Sequence, residues 1–183
     1  MHQLTHKETN WQEAKHPLIL ACDNWKDPRN VGMAFRLADA FGVQEIWLGG
    51  DTPVPPGKKI TKTARSTEKW MPFQAVPDLA TALKKAKSEN HILWGIEITS
   101  ESLPLEKTKE KSLPPALILV IGAERNGISP EVLECLDTCF YIPMFGKNTS
   151  LNVATALGIA LYHTCQLFNA NNPLTDKKTE DNN

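Results

Sequence analysis

The chain has 183 residues, 41% of them hydrophobic and 22% charged, with a formal net charge of −1, which fits one domain with a sizeable core and an ordinary globular composition. The near-neutral balance excludes a protein that coats nucleic acid through bulk electrostatics, so any polyanion contact must be local. The longest apolar run, around Ala116 to Ile121, is far too short to cross a bilayer, and the first residues lack a hydrophobic signal core, so the expectation is a cytoplasmic protein with no membrane partner.

Apolar runs alternate with helical patterns along the chain. After a polar N-terminal extension over residues 1–16, Leu18 to Cys22 predicts a strand. Val31 to Phe41 predicts a helix between Asn30 as N-cap and Gly42 as stop. Val43 to Leu48 is a second strand, closed by Gly49 and Gly50. A proline-rich loop from Pro53 to Pro56 leads to a basic segment ending near Trp70. Asp78 to Ser88 reads as a helix, His91 to Ile98 as a strand, and Leu103 to Pro115 as an irregular charged connection. Leu117 to Ile121 is a buried strand. A helix follows, started by Ser129 with Pro130 at its first position. A strand over Cys139 to Ile142 and a last helix complete the domain, 17–168. Residues 169–183 have almost no apolar content and read as a disordered tail. Strands alternating with helices mean an α/β domain with a largely parallel sheet. Cys22, Cys135, Cys139 and Cys165 contain no Cys-x-x-Cys pair and read as reduced thiols, not as a metal site or a disulfide framework.

In parallel sheets ligands gather at the carboxyl ends of the strands, and three loops there are unusual. In the first, Asp23 to Val43, a period of about 100° per residue puts Val31, Ala34, Phe35, Ala38 and Phe41 on one stripe and Arg36 roughly opposite. A solvated arginine paired with Asp39 would give the same pattern, but Gly32 one turn earlier would let a substrate approach the helix beside the guanidinium. The second loop, Gly122 to Ser129, follows the most apolar strand. Gly122 allows close backbone approach, Gly127 supplies a positive φ, and Glu124 is a carboxylate at a strand end. It is neither the dinucleotide fingerprint nor a P-loop. In the third, Ile142 to His163, Pro143 ends a strand and Thr149 or Ser150 can cap an alanine-rich helix. First-turn amides at Leu151 to Val153 are then left to a polar ligand.

These motifs, N-x-G-x-x-x-R-x-A at Asn30 to Ala38, G-x-E-x-x-G at Gly122 to Gly127 and I-P-M-x-G-x-x-x-S-L-N-V at Ile142 to Val153, resemble the SpoU (TrmH-like) branch of the SPOUT RNA methyltransferases. The resemblance covers about Leu18 to Phe168, with the motifs in the right order and each after a predicted strand. Arg125 and Asn126 stand where this family often has another glycine, which implies a stiffer second loop. The fold implied is a Rossmann-like half followed by a deep trefoil knot, an arrangement that general topology rules would reject. A homodimer is implied too. Ala154 with Gly158 and Ala156 with Ala160 form small-residue pairs on the last helix, which suit close packing within the subunit or across the dimer.

The resemblance further implies S-adenosylmethionine, bound bent in the knot and released as S-adenosylhomocysteine, with Gly122, Ile142, Met144 and Leu151 as cofactor positions, Ile96 and Glu97 as a further wall, and no metal. The implied reaction is methyl transfer to a ribose 2'-hydroxyl of tRNA or rRNA. Arg36 matches the family's catalytic arginine. Because a guanidinium stays protonated in proteins, it is read here as a stabiliser of the developing alkoxide and a clamp on the adjacent phosphate. Asn30, Ser150 and Asn152 orient the ribose and the loop, and Glu124 positions Arg36 or a loop amide.

RNA must also be gripped. Lys58, Lys62, Arg65 and Lys69 recur at spacings of four, three and four, one face if the segment is helical, along which phosphates could track. A solvated lysine face has the same spacing. The expectation is an enzyme without the long N-terminal RNA-binding domain of some relatives, for which a compact tRNA element read by shape suits a near-neutral chain slightly better than an extended rRNA contact. The alternatives are an RNA-binding or assembly factor that keeps the fold without turnover and a knotted enzyme that methylates a base.

Overall fold

A strand that is apolar on both faces must be covered on both sides, and Leu18–Asp23 (β1), buried along its whole length, lies inside a sheet of seven strands. The computed structural model describes residues 2–5, 9, 14–108 and 115–171. Half of the 1–16 extension and the tail beyond residue 171 lie outside the described residues. The elements are β1, helix α1 (Pro28–Ala40), β2 (Glu45–Gly49), α2 (Lys58–Ala64), β3 (Phe73–Val76), α3 (Leu79–Ser88), β4 (Ile92–Ile96), β5 (Leu103–Pro104), β6 (Leu117–Ile121), α4 (Pro130–Leu133), β7 (Thr138–Tyr141) and α5 (Val153–Asn171). The strand order is β3-β2-β1-β6-β4-β7-β5, and every pairing is parallel.

Alternation along the central strands divides the core in two. Leu18, Leu20 and Cys22 of β1, with Leu117, Leu119 and Ile121 of β6, face α1, α2 and α5. Ile19 and Ala21, with Ile118 and Val120, face α3 and α4 through Leu79, Leu83 and Val132. Two short strands escape the sequence reading. β3 lies between Pro72 and Pro77, and β5 is a two-residue strand at the opposite sheet edge. At these margins too few residues pair for alternation to be visible.

Helix α1 begins earlier than the pattern of apolar residues suggests. Pro28 occupies its first turn, and Asp27, not Asn30, is the N-cap, its side chain accepting from Arg29 N–H. Asn30 is thereby freed for other contacts. Gly42 does end the helix, with φ +61°, and a side chain there would run into the Ala14 carbonyl. Helix α5 is capped by Asn152, whose Oδ1 accepts from Ala154 N–H at 3.0 Å and Thr155 N–H at 3.2 Å. Neither Thr149 nor Ser150 performs that role. The helix continues past Phe168 to Asn171, so the start of the expected tail is helical. No helix among the described residues is long and apolar enough to cross a membrane.

Candidate active site

Strands β1, β6, β4 and β7 end side by side, which brings the loops after them to one edge of the sheet. The loop after β6 is a clasp. Ala123 and Gly127 exchange both backbone hydrogen bonds at 2.9 Å, and Gly127 takes the expected positive φ, +65°. A side chain on Gly122 would lie 2.0 Å from the Gly127 carbonyl carbon. The close approach that Gly122 permits is therefore made by the loop's own backbone. Below the clasp, the buried Asp23 carboxylate accepts from Ser129 N–H (2.7 Å), Ser129 Oγ–H (2.8 Å) and Asn24 Nδ2–H (2.8 Å), joining the first loop to the second. Glu97 accepts from Ile128 N–H at 3.0 Å on the other side. Trp25, wholly buried, donates from its indole to the Ile121 carbonyl at 3.0 Å.

Three of the candidate catalytic residues form one polar chain. Asn30 Nδ2–H donates to Glu124 Oε1 at 2.6 Å, and Asn152 Nδ2–H donates to Asn30 Oδ1 at 3.4 Å. Lys26 N–H reaches Glu124 Oε2 at 3.4 Å. Glu124 thus holds Asn30 and a loop amide, not Arg36. A carboxylate offers about four acceptor sites, so Glu124 keeps capacity for a ligand hydroxyl. Asn152 serves twice, as helix cap and as the link between the third loop and the first.

The polar chain borders two cavities separated by the clasp. One, of about 240 Å³, is lined by Ile96, Ile121, Gly122, Ile142, Met144 and Leu151, among others, and also by Glu97 and Ser150. All four candidate cofactor positions therefore meet around one space, of mixed apolar and polar lining. Its volume is slightly below the roughly 300–1,000 Å³ of most ligand sites, and the loop beside it is open, with Phe145 99% exposed. The other cavity is a larger groove of about 990 Å³ whose lining includes the charged and polar residues Asp23, Lys26, Arg29, Asn30, Lys59 and Asn152. Ala123, Glu124, Arg125 and Gly127 line both.

Arg36 stands apart. It is exposed on α1, lines neither cavity, and has no hydrogen-bond or ion-pair partner among the described residues. Asp39, its expected partner, accepts instead from the Trp70 indole at 2.8 Å. Gly32 does not open the helix to a substrate, because a side chain there would meet Thr63 Oγ1 at 2.1 Å and the Ile60 carbonyl oxygen at 2.4 Å. The glycine lets α2 cross α1 closely. The basic segment is not one helical face either. Helix α2 stops at Ala64, and Arg65 and Ser66 both take positive φ, so Arg65 and Lys69 leave the line of Lys58 and Lys62. None of those four cations lines the groove.

The groove's own cations, Lys26, Arg29, Lys59 and Arg125, escaped the sequence reading. Lys59 follows Lys58 directly, and only the close α1–α2 crossing selects it. Arg29 is held by Asp27 through Nε (3.0 and 3.1 Å) and a guanidinium nitrogen at 2.6 Å. Those hydrogen bonds keep the Asp27 carboxyl below the usual carboxylate range. The four cysteines are free thiols. Burial pushes Cys165 up to about 12 and raises Cys22 and Cys139 as well, with Asp23 adding to the effect at Cys22 and Glu97 at Cys139.

Comparison with known proteins gives a consistent result. A family model described as the SpoU rRNA Methylase family matches residues 17–162. The 23S rRNA (guanosine-2'-O-)-methyltransferase RlmB of Nitrosomonas europaea is 36% identical over 80% of this chain and 55% of its own length. Its namesake from Pseudomonas aeruginosa is 34% identical over 80% of this chain and 57% of its own length. The chain thus spans little more than half the length of these relatives. Among solved structures, the A. aeolicus TrmH/SpoU tRNA modifying enzyme superposes with a TM-score of 0.76 at 26% identity, covering 87% of this chain and 79% of that one. An AdoMet-bound rRNA methyltransferase from Sinorhizobium meliloti gives 0.75 at 25% identity, covering 85% and 57%.

Proposed function

Because the chain belongs to the SpoU rRNA methylase family, we propose that it transfers a methyl group from S-adenosylmethionine to a ribose 2'-hydroxyl of structured RNA. The observation that carries this reading is the Glu124–Asn30–Asn152 chain along the larger groove, with Glu124 also lining the smaller cavity beyond the clasp. A methyl donor and an RNA ribose need such neighbouring spaces. The apolar lining suits the adenine of the cofactor, and Gly122, Ile142, Met144 and Leu151 would hold it. The AdoMet-bound state of the S. meliloti relative supports the choice of donor. The cofactor, when bound, supplies an electrophilic methyl on its sulfonium.

The residues of the chain supply orientation and charge. A ribose hydroxyl is a weak nucleophile, and Glu124 with Asn30 would fix its direction by hydrogen bonding. Ser150, exposed on the cofactor side, would set the third loop against the donor. Arg36 would stabilise the alkoxide that develops as the methyl passes from sulfur to the ribose oxygen and the hydroxyl proton is released to water. The curated relatives act on 23S rRNA, and on that basis rRNA replaces tRNA as the favoured substrate class.

The working unit is a homodimer built on the face between α1 and α5. Its support is an apolar groove lined by Met33, Leu37, Phe41, Gly158, Ile159 and Tyr162, with Ile159 40% and Tyr162 59% exposed. A methyl on Gly158 would make only ordinary contact with Leu37, at 3.6 Å, so packing inside the chain does not require glycine there. Asn30 and Asn152 line this groove too, so a second copy seated on it closes the site. Arg36, at the edge of the same face, then reaches the partner's site. The C-terminal segment threads a deep trefoil knot, which the family likeness supports. A knotted chain pulled from its ends would stop short of full contour length.

The deciding experiment incubates the purified protein with labelled S-adenosylmethionine and unmodified transcripts of 23S rRNA and tRNA, then maps the modified nucleotide. Methyl on a ribose of rRNA is the expected result. Methyl on a base, or cofactor binding without transfer, would reject the proposal.

A further inference from the structure

We infer that Arg125 grips the RNA phosphate next to the target ribose and so sets the register of the strand; this rests on the methyl-transfer reading. Arg125 is exposed at the tip of the clasp and lines both cavities. It stands where donor and ribose must meet. The clasp beneath it is fixed by the paired Ala123–Gly127 backbone bonds and by the Asp23–Ser129 contacts, so the backbone that carries Arg125 has a defined position.

The charges around the groove single this residue out. Lys26 is paired with Asp51 at 3.0 Å, and Arg29 with Asp27 at 2.6 Å. Arg125 has neither an ion pair nor a side-chain hydrogen bond among the described residues, and Lys59, without either, still acts on Asp27 through its charge. Among the acids, Asp27 is paired with the Arg29 cation, while Asp23 accepts from Ser129 and Asn24 and Glu124 from Asn30 and the Lys26 amide, all neutral donors. The groove's lining sets four cations, Lys26, Arg29, Lys59 and Arg125, against three carboxylates, Asp23, Asp27 and Glu124, and Arg125 at its exposed tip is the cation free to meet a phosphate. Arg125 can meet phosphate oxygens bidentately, and Lys59 across the groove gives a second phosphate a point charge. The cofactor's carboxylate is the competing anion, but the apolar cavity is smaller and is not where the second free cation lies.

The test measures the Michaelis constant for unmodified 23S rRNA transcript from about 50 to 300 mM KCl in wild type, Arg125→Ala and Arg125→Lys, with calorimetry of S-adenosylhomocysteine alongside. A phosphate contact predicts that Arg125→Ala weakens RNA recognition and lowers the log–log salt slope by about 0.7–0.9, one phosphate's share, while cofactor-product affinity holds. Arg125→Lys should keep most of the slope. Lost S-adenosylhomocysteine affinity with an unchanged slope would overturn the inference in favour of the carboxylate, and no change in either would leave a solvated arginine. If the wild type transfers no methyl, the parent reading fails. Filter binding of the same transcript by wild type and Arg125→Ala still decides this contact by the same slope.

Discussion

Glu124 and Arg36 show two ways a charged residue can be used. Glu124 is held by Asn30 and by a backbone amide, while Arg36 has no partner among the described residues. Arg36→Ala should therefore cost little stability yet lower turnover by about 100-fold or more, as losing a preorganised charge-stabilising donor does; near-normal single-turnover methylation would remove Arg36 from the mechanism. Asp23 is the structural counterpart. Asp23→Ala leaves a buried amide and the Ser129 hydroxyl unpaired, and should cost about 1.5–3 kcal/mol in urea denaturation, since its bonds involve a charged acceptor. The sequence displays Asp23 only as the polar end of an apolar run, and its partner lies 106 positions away. Arg36 was legible because amphipathic periodicity places it off the core. Its separation from Glu124 was not, because periodicity describes one helix and not the position of the next loop.

At the level of elements, boundaries follow caps more closely than apolar periodicity does. Asp27 with Pro28 starts α1, and Asn152 starts α5. Asp27→Ala should cost about 1 kcal/mol at neutral pH. Because its folded pKa is lowered, this contribution is present in full above the unfolded value of about 3.9 and is lost as pH falls through the lower folded value. The gap between variant and wild-type melting points should close in acid. The crossing of α1 and α2 is the second element-scale constraint. Gly32→Ala forces a methyl onto the Ile60 carbonyl and the Thr63 hydroxyl, and overpacking of this kind costs about 1–3 kcal/mol. Thermal melting checks it, and an unchanged midpoint would show that α2 moves aside freely. No local pattern warns of the crossing, since a helical glycine reads equally well as a ligand approach. Nor could charge spacing foresee that Arg65 and Ser66 would turn out of the helix and break the basic face.

For the whole molecule, the parallel α/β layering follows from a few strongly patterned segments. Leu18–Asp23 and Leu117–Ile121 are apolar on both faces and lie adjacent at the centre. The strand order is another matter. Placing β4 between β6 and β7 requires contacts between segments far apart in sequence, and no local pattern encodes them. The proposed dimer face belongs to this scale. Ile159→Asp puts a charge in the apolar groove at an exposed position, so the subunit should keep its fold while its mass by light scattering falls to that of a monomer. Methyl transfer should fall with it, because each site then lacks the partner's Arg36. Mixing Arg36→Ala subunits with Glu124→Ala subunits should restore part of the activity, one intact site per mixed pair. A fully active monomer would refute the dimeric unit.

The clasp has a further consequence, for the lengths the chain can accept. Between Gly122 and Gly127 the backbone fills the space a side chain would take and pairs with itself at both ends. Adding or removing one residue there would shift Arg125 off its station and break the fit beneath it. The stretch around Phe145 and Gly146 faces solvent, and nothing lies within 4 Å of where a side chain on Gly146 would begin. Insertions and deletions should therefore be rejected in the first stretch and accepted in the second, and a library of length variants scored for folding would read this difference directly.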